Sequence, residues 1–159
     1  MKRTILTHPN LQLRTPAQLV DVARFGTPEL KAFANELADL MVQGDGVGLA
    51  ATQIGATDRI IVVAMPDTGP TVFVNPKIVS RSRTLFDFEE GCLSVPGVYG
   101  MVERHKKVKV QAYTVDGLRV SLSLKNLYAV IFQHEIDHLD GILFIDKVKR
   151  LTHGSNVLV

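Results

Sequence analysis

The sequence predicts an α+β fold in which mostly antiparallel sheets pack around one helix that carries the motif HEIDH. Apolar residues repeat with helical spacing in two separated segments, residues 28–41 and about 124–140. Short apolar runs bounded by glycine and proline lie between these segments, which is typical of strands. Because the helices and strands are grouped rather than strictly alternating, the order favours α+β over a parallel α/β sheet.

The first helix is predicted to begin at Pro28, immediately after the capping residue Thr27, and to end at Gly44. Proline suits the first helical position because its missing N–H would have no partner within the helix there. Glycine is common just past the last turn of a helix. The apolar stripe of this helix consists of Leu30, Phe33, Ala34, Leu37, Leu40 and Met41.

A glycine-rich segment, GVGLAATQ over residues 46–53, follows this helix. Its pattern G-x-G-x-x-A resembles a dinucleotide-binding turn, but such a turn must follow a strand and open a helix. We therefore interpret the segment as a stretch of small residues where a ligand or another backbone comes close. Gln53 would present its amide to that ligand, and the alternative is a solvated surface residue.

Strands are predicted between the two helices from short apolar runs. Residues 59–64 and 71–75 form two of them, each ending near a proline. Residues 108–115 and 118–124 flank the dipeptide Asp116-Gly117, which favours a two-residue hairpin turn.

The second helix is predicted over about Leu124 to Asp140, with Ser123 as its N-cap and Gly141 just past its end. No proline interrupts it, and His134 and His138 lie one turn apart on its apolar face. That face consists of Leu127, Val130, Ile131, His134 and His138.

The HEIDH motif predicts metal-assisted hydrolysis. His134 and His138 can bind one metal ion, and Glu135 is a candidate for proton transfer to and from a metal-bound water nucleophile. The alternative is a pair of core histidines, each of which would need its own hydrogen-bond partner. A metal ion would satisfy both imidazoles at once, which favours the ligand role.

A catalytic metal site usually has three protein ligands and one open position, so a third ligand is required. The single cysteine, Cys92, is the preferred candidate, since Gly91 and Pro96 shape the backbone around it and two carboxylates precede it. The alternatives are that Cys92 is a small buried hydrophobic residue and that Glu89 or Glu90 is the third ligand.

Three motifs, GVGLAATQ (46–53), EGCLS (90–94) and HEIDH (134–138), resemble in that order the signature motifs of peptide deformylase. The resemblance implies removal of the formyl group from the N-terminal formylmethionine of newly made polypeptides, with release of formate. It implies a single divalent metal ion, which is Fe²⁺ in most members of the family, with Zn²⁺, Ni²⁺ or Co²⁺ able to replace it.

The resemblance also implies individual roles. Cys92, His134 and His138 would bind the metal, Glu135 would act as general base and acid, and Gln53 and the backbone N–H of Leu93 would hold the formyl oxygen. An apolar pocket for the methionine side chain is expected beside His134. The residues expected to bind substrate are Val47, Gly48, Glu90, Gly91, Leu127, Val130 and Ile131.

Two other functions compete at this stage. A zinc endo- or aminopeptidase could use the same H-E-x-x-H pattern. A non-catalytic protein could hold a structural metal, but such a site is usually closed by four protein ligands. Glu135 and Gln53 argue against the structural site.

Composition sets the remaining expectations. The 159 residues predict one domain over 1–159, and a net charge of +2 gives no reason to expect a specific nucleic-acid partner. One cysteine excludes an intramolecular disulfide, and no apolar run reaches the 18 residues of a membrane span. A cytoplasmic enzyme acting on nascent formylmethionyl peptides is expected, with a mature organellar form as the alternative.

Two charged features carry weaker expectations. Asp137 is predicted to pair with Arg104 and so fix the second helix against a sheet, the alternative being two independent surface charges. The basic residues 147–150, KVKR, are predicted to be a solvated end, with transient contact to ribosomal RNA as the alternative.

Overall fold

A computed structural model describes residues 2–155 of the chain. The helices are α1 (Pro28–Gln43) and α2 (Leu127–Leu139). The strands are β1 (Gly48–Ala50), β2 (Ile60–Met65), β3 (Gly69–Arg81), β4 (Leu85–Cys92), β5 (Val95–His105), β6 (Lys107–Tyr113), β7 (Arg119–Lys125) and β8 (Val148–His153). Short 3₁₀ turns connect several of these elements.

The strands form two sheets. One has five strands in the order β1-β2-β3-β6-β7, and the other has three in the order β4-β5-β8. Every pairing between these strands is antiparallel. The predicted α+β class is therefore confirmed. Within residues 2–155, no helix is both long enough and apolar enough to cross a membrane.

The five-stranded sheet is covered by a helix on each face. In β2, Ile61 and Val63 point into the core formed with α2, while Ile60 and Val62 point into the core formed with α1. All four side chains are fully buried, which explains why this strand reads as an unbroken apolar run. The α2 side chains in the first core include Ala129, Phe132 and Ile136.

The predicted caps of α1 are confirmed. Thr27 Oγ1 accepts a hydrogen bond from the Leu30 N–H, at 3.3 Å, and Pro28 is the first helical residue. The Gly44 N–H donates to the Leu40 carbonyl, so the helix ends where it was predicted to end.

The predicted start of α2 was wrong. Ser123 and Leu124 belong to β7, and α2 begins at Leu127 with Asn126 as the preceding residue. The reason is that Leu122 and Leu124 alternate with exposed polar residues and point into the core, so the strand continues to Lys125. The C-terminal prediction holds, because Gly141 has a φ of 77° just past the helix.

Two details of the strands also differ from prediction. Pro76 does not end β3, because the strand continues past it through a register shift between Val74 and Lys77. The β6–β7 turn is longer than two residues, since the Gly117 N–H donates to Thr114 and the Thr114 N–H donates to Leu118. Gly117, at a φ of 92°, provides the left-handed position that follows the turn.

The three-stranded sheet was not predicted as such. Its third strand, β8, is an edge strand beside β5 and includes residues 148–150 of the basic segment, whose side chains Lys147, Lys149 and Arg150 are exposed. Lys147 and Lys149 form ion pairs with Asp137 and Asp87. A small core lies under this sheet, formed by Leu13, Val95, Val98, Val102, Leu143, Phe144 and Ile145.

We predict that Gly100→Ala lowers the free energy of unfolding by about 1–3 kcal/mol, because the site is overpacked by even one methyl group. A Cβ at Gly100 would lie 2.1 Å from Val148 Cγ2 and 3.0 Å from the Arg150 carbonyl oxygen. Urea unfolding of this variant, of Val148→Ala and of the double variant forms a cycle. We expect the double variant to lose less free energy of unfolding than the two single variants lose together. Strictly additive losses would contradict the proposed clash.

Candidate active site

The predicted site residues meet at one cleft of about 490 Å³. The turn between β4 and β5, the segment before β1, and one face of α2 form its walls. All seven residues expected to bind substrate line this cleft, and so do Gln53, Cys92, Leu93, His134 and Glu135. His138 lies deeper, with 1% of its surface exposed.

Three side chains present donor atoms to one point beneath the cleft. Cys92 Sγ lies 3.2 Å from His138 Nε2, which in turn lies 3.2 Å from His134 Nε2. The donor atoms of all three residues lie within 4.8 Å of one another. Cys92 reaches this point because it is the last residue of β4, and the histidines reach it because they are one turn apart on α2.

This cluster fits a metal ion. Two nitrogens at tetrahedral angles on one ion, each about 2.0–2.1 Å from it, are roughly 3.3 Å apart, close to the spacing seen here. Among residues 2–155, the buried side-chain atoms without a hydrogen-bond partner are Glu135 Oε2 and His138 Nδ1, which lie next to this cluster but are not its donor atoms. A site with three protein ligands also keeps a coordination position for a reactant, unlike a closed structural site.

A buried ionic network holds His134 in place. Glu90 Oε1 accepts a hydrogen bond from His134 Nδ1 at 2.7 Å, which leaves His134 Nε2 to face the donor cluster. Arg104 donates to both oxygens of Glu90, at 2.6 and 2.9 Å, and to Asp137 at 2.6 Å. The predicted Arg104–Asp137 pair is confirmed, and it is part of this network.

The network also removes the alternative third ligands. Both Glu90 oxygens are occupied by Arg104 and His134, and Glu89 is exposed and accepts a hydrogen bond from Thr152. Neither carboxylate belongs to the donor cluster, which leaves Cys92 as the third donor. Glu90 lines the cleft, but its carboxylate orients the network.

Burial and neighbouring charges set the pKa values of the site. Burial alone would raise the pKa of Glu90, but hydrogen bonds from Arg104 and His134 outweigh it and lower that pKa to about 2. Burial raises the pKa of Glu135 to about 7, with the charge of Glu90 adding to the effect. Burial, together with the charge of His134, lowers the pKa of His138 well below its usual value, which keeps this imidazole neutral.

The pKa of His134 shifts in the other direction. Burial opposes its protonation, but hydrogen bonds to Cys92 and Glu90 raise the pKa well above its usual value.

Gly48 allows Glu135 to reach the cleft. A Cβ at Gly48 would lie 2.6 Å from Glu135 Oε1 and 2.9 Å from its carboxyl carbon. Any larger residue would therefore displace the Glu135 side chain. The small residues of this segment predicted a close approach, but not the side chain that makes it.

The Gln53 amide is held from both ends. Its Oε1 accepts a hydrogen bond from the Ala50 N–H at 2.9 Å, and its Nε2 donates to Ser94 Oγ at 3.0 Å. The same Nε2 lies 3.5 Å from Cys92 Sγ, so its second N–H faces the donor cluster. Gln53 is 2% exposed, which overturns the surface alternative.

Ser94 is a functional residue that sequence reasoning missed. It is fully buried and its Oγ accepts the hydrogen bond from Gln53; its place at the end of the motif EGCLS was the signal that could have identified it. Leu93 lies in the same two-residue turn, because Cys92 pairs with Val95. The Leu93 N–H is thus outside the β4–β5 ladder and beside the cleft.

The sequence model of the polypeptide deformylase family matches residues 2–153. The chain belongs to this family. A peptide deformylase from Desulforudis audaxviator is 46% identical over 143 residues, which cover 90% of this chain and 91% of that protein. The predicted resemblance is thereby confirmed.

Solved structures of the family agree with the fold described above. The Met-Ala-Ser bound class I type b peptide deformylase from Acinetobacter baumannii has a TM-score of 0.87 at 34% identity, covering 92% of this chain and 99% of that one. A peptide deformylase from Legionella pneumophila has a TM-score of 0.86 at 40% identity, covering 94% and 87%.

The activity follows from membership of the family. The chain is an enzyme that hydrolyses the N-formyl group from the N-terminal formylmethionine of newly made polypeptides and releases formate. The peptidase and structural-metal alternatives are therefore set aside.

We predict that Glu90 makes stability depend on acid pH. Its pKa falls from 4.5 to about 2 on folding, so its contribution of about 3 kcal/mol is complete above pH 4.5 and disappears as the pH falls through about 2. Urea unfolding between these pH values, with metal removed by a chelator, measures it. Glu90→Gln should lose this pH dependence, whereas the exposed neighbour Glu89→Gln should keep it. Equal slopes for both variants would contradict the assignment.

Proposed function

We propose that Cys92, His134 and His138 hold one divalent metal ion and that Glu135 transfers the proton during hydrolysis of the formyl amide. The observation that supports this proposal is the convergence of three donor atoms within 4.8 Å, beside a buried carboxylate without a hydrogen-bond partner at one oxygen. These two features in one cleft support a metal-binding point beside a proton acceptor.

We propose Fe²⁺ as the ion used by this enzyme, with Zn²⁺, Ni²⁺ and Co²⁺ as replacements. One thiolate and two imidazoles suit all four ions, so the preference for iron comes from the family. A bound divalent ion supplies a Lewis acid that polarises the formyl group and makes water nucleophilic near neutral pH.

Glu135 is proposed to act first as base and then as acid. Its burial raises its pKa to about 7, which suits a group that must both accept and release a proton near neutral pH. It would take a proton from the attacking water and deliver it to the amine of methionine as that amine leaves. Gly48, which has no side chain, leaves the space that its carboxylate occupies.

Gln53 and Leu93 are proposed to stabilise the oxyanion. Ser94 and the Ala50 N–H fix the Gln53 amide, so that donating its second N–H to a substrate oxygen would require only exchange of the long contact with Cys92 Sγ. The Leu93 N–H would be the second donor. Donors that are held in place before the reaction lower the barrier because they need no reorganisation.

The methionine side chain is proposed to enter the apolar part of the cleft. Val130 and Ile131 are buried walls on the same face of α2 as His134, and Leu127 and Val47 are half-exposed at the cleft. Gly91 leaves space against the Tyr99 ring, which a Cβ would approach to 2.5 Å. The Met-Ala-Ser peptide on the relative from A. baumannii supports a cleft that accepts a methionyl peptide.

The setting of this activity is proposed as well. We propose that residues 1–159 act as one catalytic domain on nascent formylmethionyl peptides in the cytoplasm, in transient contact with the ribosome. A single cysteine that must remain a thiolate to bind metal supports a reducing compartment.

We predict that Glu135→Ala keeps its metal and loses activity. Removing the proton-transfer group should lower kcat by about 10²–10⁴-fold, because general acid–base catalysis contributes that much. The measurement is formate release from a formylmethionyl tripeptide, with metal content determined by mass spectrometry on the same Fe²⁺-loaded samples. Glu103→Ala, an exposed carboxylate on β5, is the control and should stay near the wild-type rate. A Glu135→Ala enzyme with undiminished turnover would show that the proton moves through another group.

We predict that Cys92→Ser changes the metal site itself. With Co²⁺ bound, the wild type should show a sulfur-to-cobalt charge-transfer absorption, which the variant should lack because its hydroxyl is a harder ligand. Its metal affinity should also fall. Ser94→Ala is the control, since it alters the neighbouring turn without removing a donor, and it should keep the absorption. An unchanged spectrum in Cys92→Ser would mean that sulfur is not a ligand.

A further inference from the structure

One face of the five-stranded sheet carries cations that the catalytic site does not use. Helix α1 packs against β1, β2 and β3, and the part of this face formed by the end of β3 with β6 and β7 is open. We call this open part the basic face. Its exposed cations are Lys77, Lys107, Lys109, Arg119 and Lys125.

The strand registers place these side chains on the same side. Lys107 and Lys109 alternate with the buried Val108 and Val110, so both point away from α2. Lys107 pairs directly with Lys125, and Lys109 pairs with Ser123. On the other side of β6, Lys77 pairs with Gln111, which shares the face of Lys109.

Negative charge is missing from this region. Strands β3, β6 and β7 contain no aspartate or glutamate, although the whole chain has 16 of them against 18 lysines and arginines. Among the salt bridges of residues 2–155, none involves a cation of the basic face. The net charge of +2 thus hides a separation of charge within the molecule.

This arrangement costs stability. Like charges directly opposite on neighbouring strands repel, as Lys107 and Lys125 do here. Lysines on an edge strand can prevent aggregation, which accounts for Lys125 on β7. It does not account for Lys77, Lys107 and Lys109, which lie on β3 and β6 inside the sheet.

We propose that the basic face docks on the phosphate backbone of double-helical RNA, independently of sequence. The cations are separated by hydrogen-bonding side chains that suit phosphate oxygens, namely Ser80, Gln111, Ser121 and Ser123. Tyr113, opposite Arg119 on this face, packs against Phe25 and so is not a free ring for stacking on unpaired bases, which favours a duplex over a single strand. The exposed apolar side chains beside these cations include Val79 on β3 and Leu118 in the β6–β7 turn, and two separate aliphatic side chains are a small anchor compared with the continuous apolar face that binds a lipid surface.

RNA is chosen over other polyanions because the substrate is a newly made polypeptide, which is found where RNA is abundant. The choice of RNA thus rests on the deformylase activity, whereas RNA binding can be measured without any enzyme turnover. Lys125 lies two residues before Leu127, which lines the catalytic cleft, so one end of the basic face is connected closely to a cleft residue along the chain. Binding there would hold the enzyme close to its substrate.

The test measures fluorescence anisotropy of a labelled RNA duplex of about 20 base pairs with the full chain. With five phosphate contacts, affinity should fall by two to three orders of magnitude between about 50 and 200 mM salt. The triple variant Lys77→Gln, Lys107→Gln, Lys109→Gln should bind at least about tenfold more weakly at the lower salt, with a clearly smaller salt slope.

A control variant with the same net charge separates the face from total charge. Lys2→Gln, Lys31→Gln, Lys149→Gln removes three cations outside the basic face and should change affinity by less than about twofold. Equal losses in both variants, or no binding by the wild type at low salt, would overturn the proposal. Binding to vesicles containing anionic phosphatidylserine but not to RNA would also overturn it, in favour of a lipid surface. Formate release from a short formylated peptide should be unchanged in both variants, which confirms that they are folded.

Discussion

The buried carboxylate of Glu90 connects the parts of the molecule on which the active site depends. It lies on β4, accepts hydrogen bonds from Arg104 on β5, and accepts another from His134 on α2. Arg104 extends the connection to Asp137, one residue before His138. The small sheet and the helix of the large sheet are thereby held in one relative position. Because Cys92 and the histidines come from these two parts, the spacing of the donor cluster depends on this network.

Burial of such a network costs desolvation free energy, and apolar residues of similar volume could give an equally stable protein. The contribution of the network is the orientation of the His134 ring. A carboxylate on Nδ1 determines which nitrogen of His134 faces the cluster, and an apolar side chain cannot do that. The low pKa of Glu90 and the high pKa of Glu135 arise within one small region, because Arg104 and His134 donate to the first carboxylate and neither donates to the second. Two neighbouring acids thus acquire different chemistry from their partners.

The small residues around the cleft also help to position the side chains of the site. Gly48 admits the Glu135 carboxylate, Gly91 lies against the Tyr99 ring, and Ser94 fixes Gln53. Gly48 and Ser94 leave Glu135 and Gln53 in defined positions without adding bulk to the cleft. The basic face is placed on the other side of the five-stranded sheet from α2, so its charges do not enter the cleft and its proposed partner does not compete with the substrate.

The sequence alone determined the fold class, the extent of α1 and the face of α2 on which both histidines lie, because these depend on local periodicity and capping. It also indicated Cys92, Glu135 and Gln53, since unusual residue types in short motifs are visible without coordinates. The tertiary structure decided which residues distant in the chain come into contact, and sequence spacing does not show this. Residues 90, 104 and 134 form one network although they are far apart in the chain. Ser123 belongs to a strand because its neighbours Leu122 and Leu124 pack into the core. Likewise, the basic face exists because strand pairing brings Lys77, Lys107 and Lys125 together, whereas a net charge averages them with acids elsewhere.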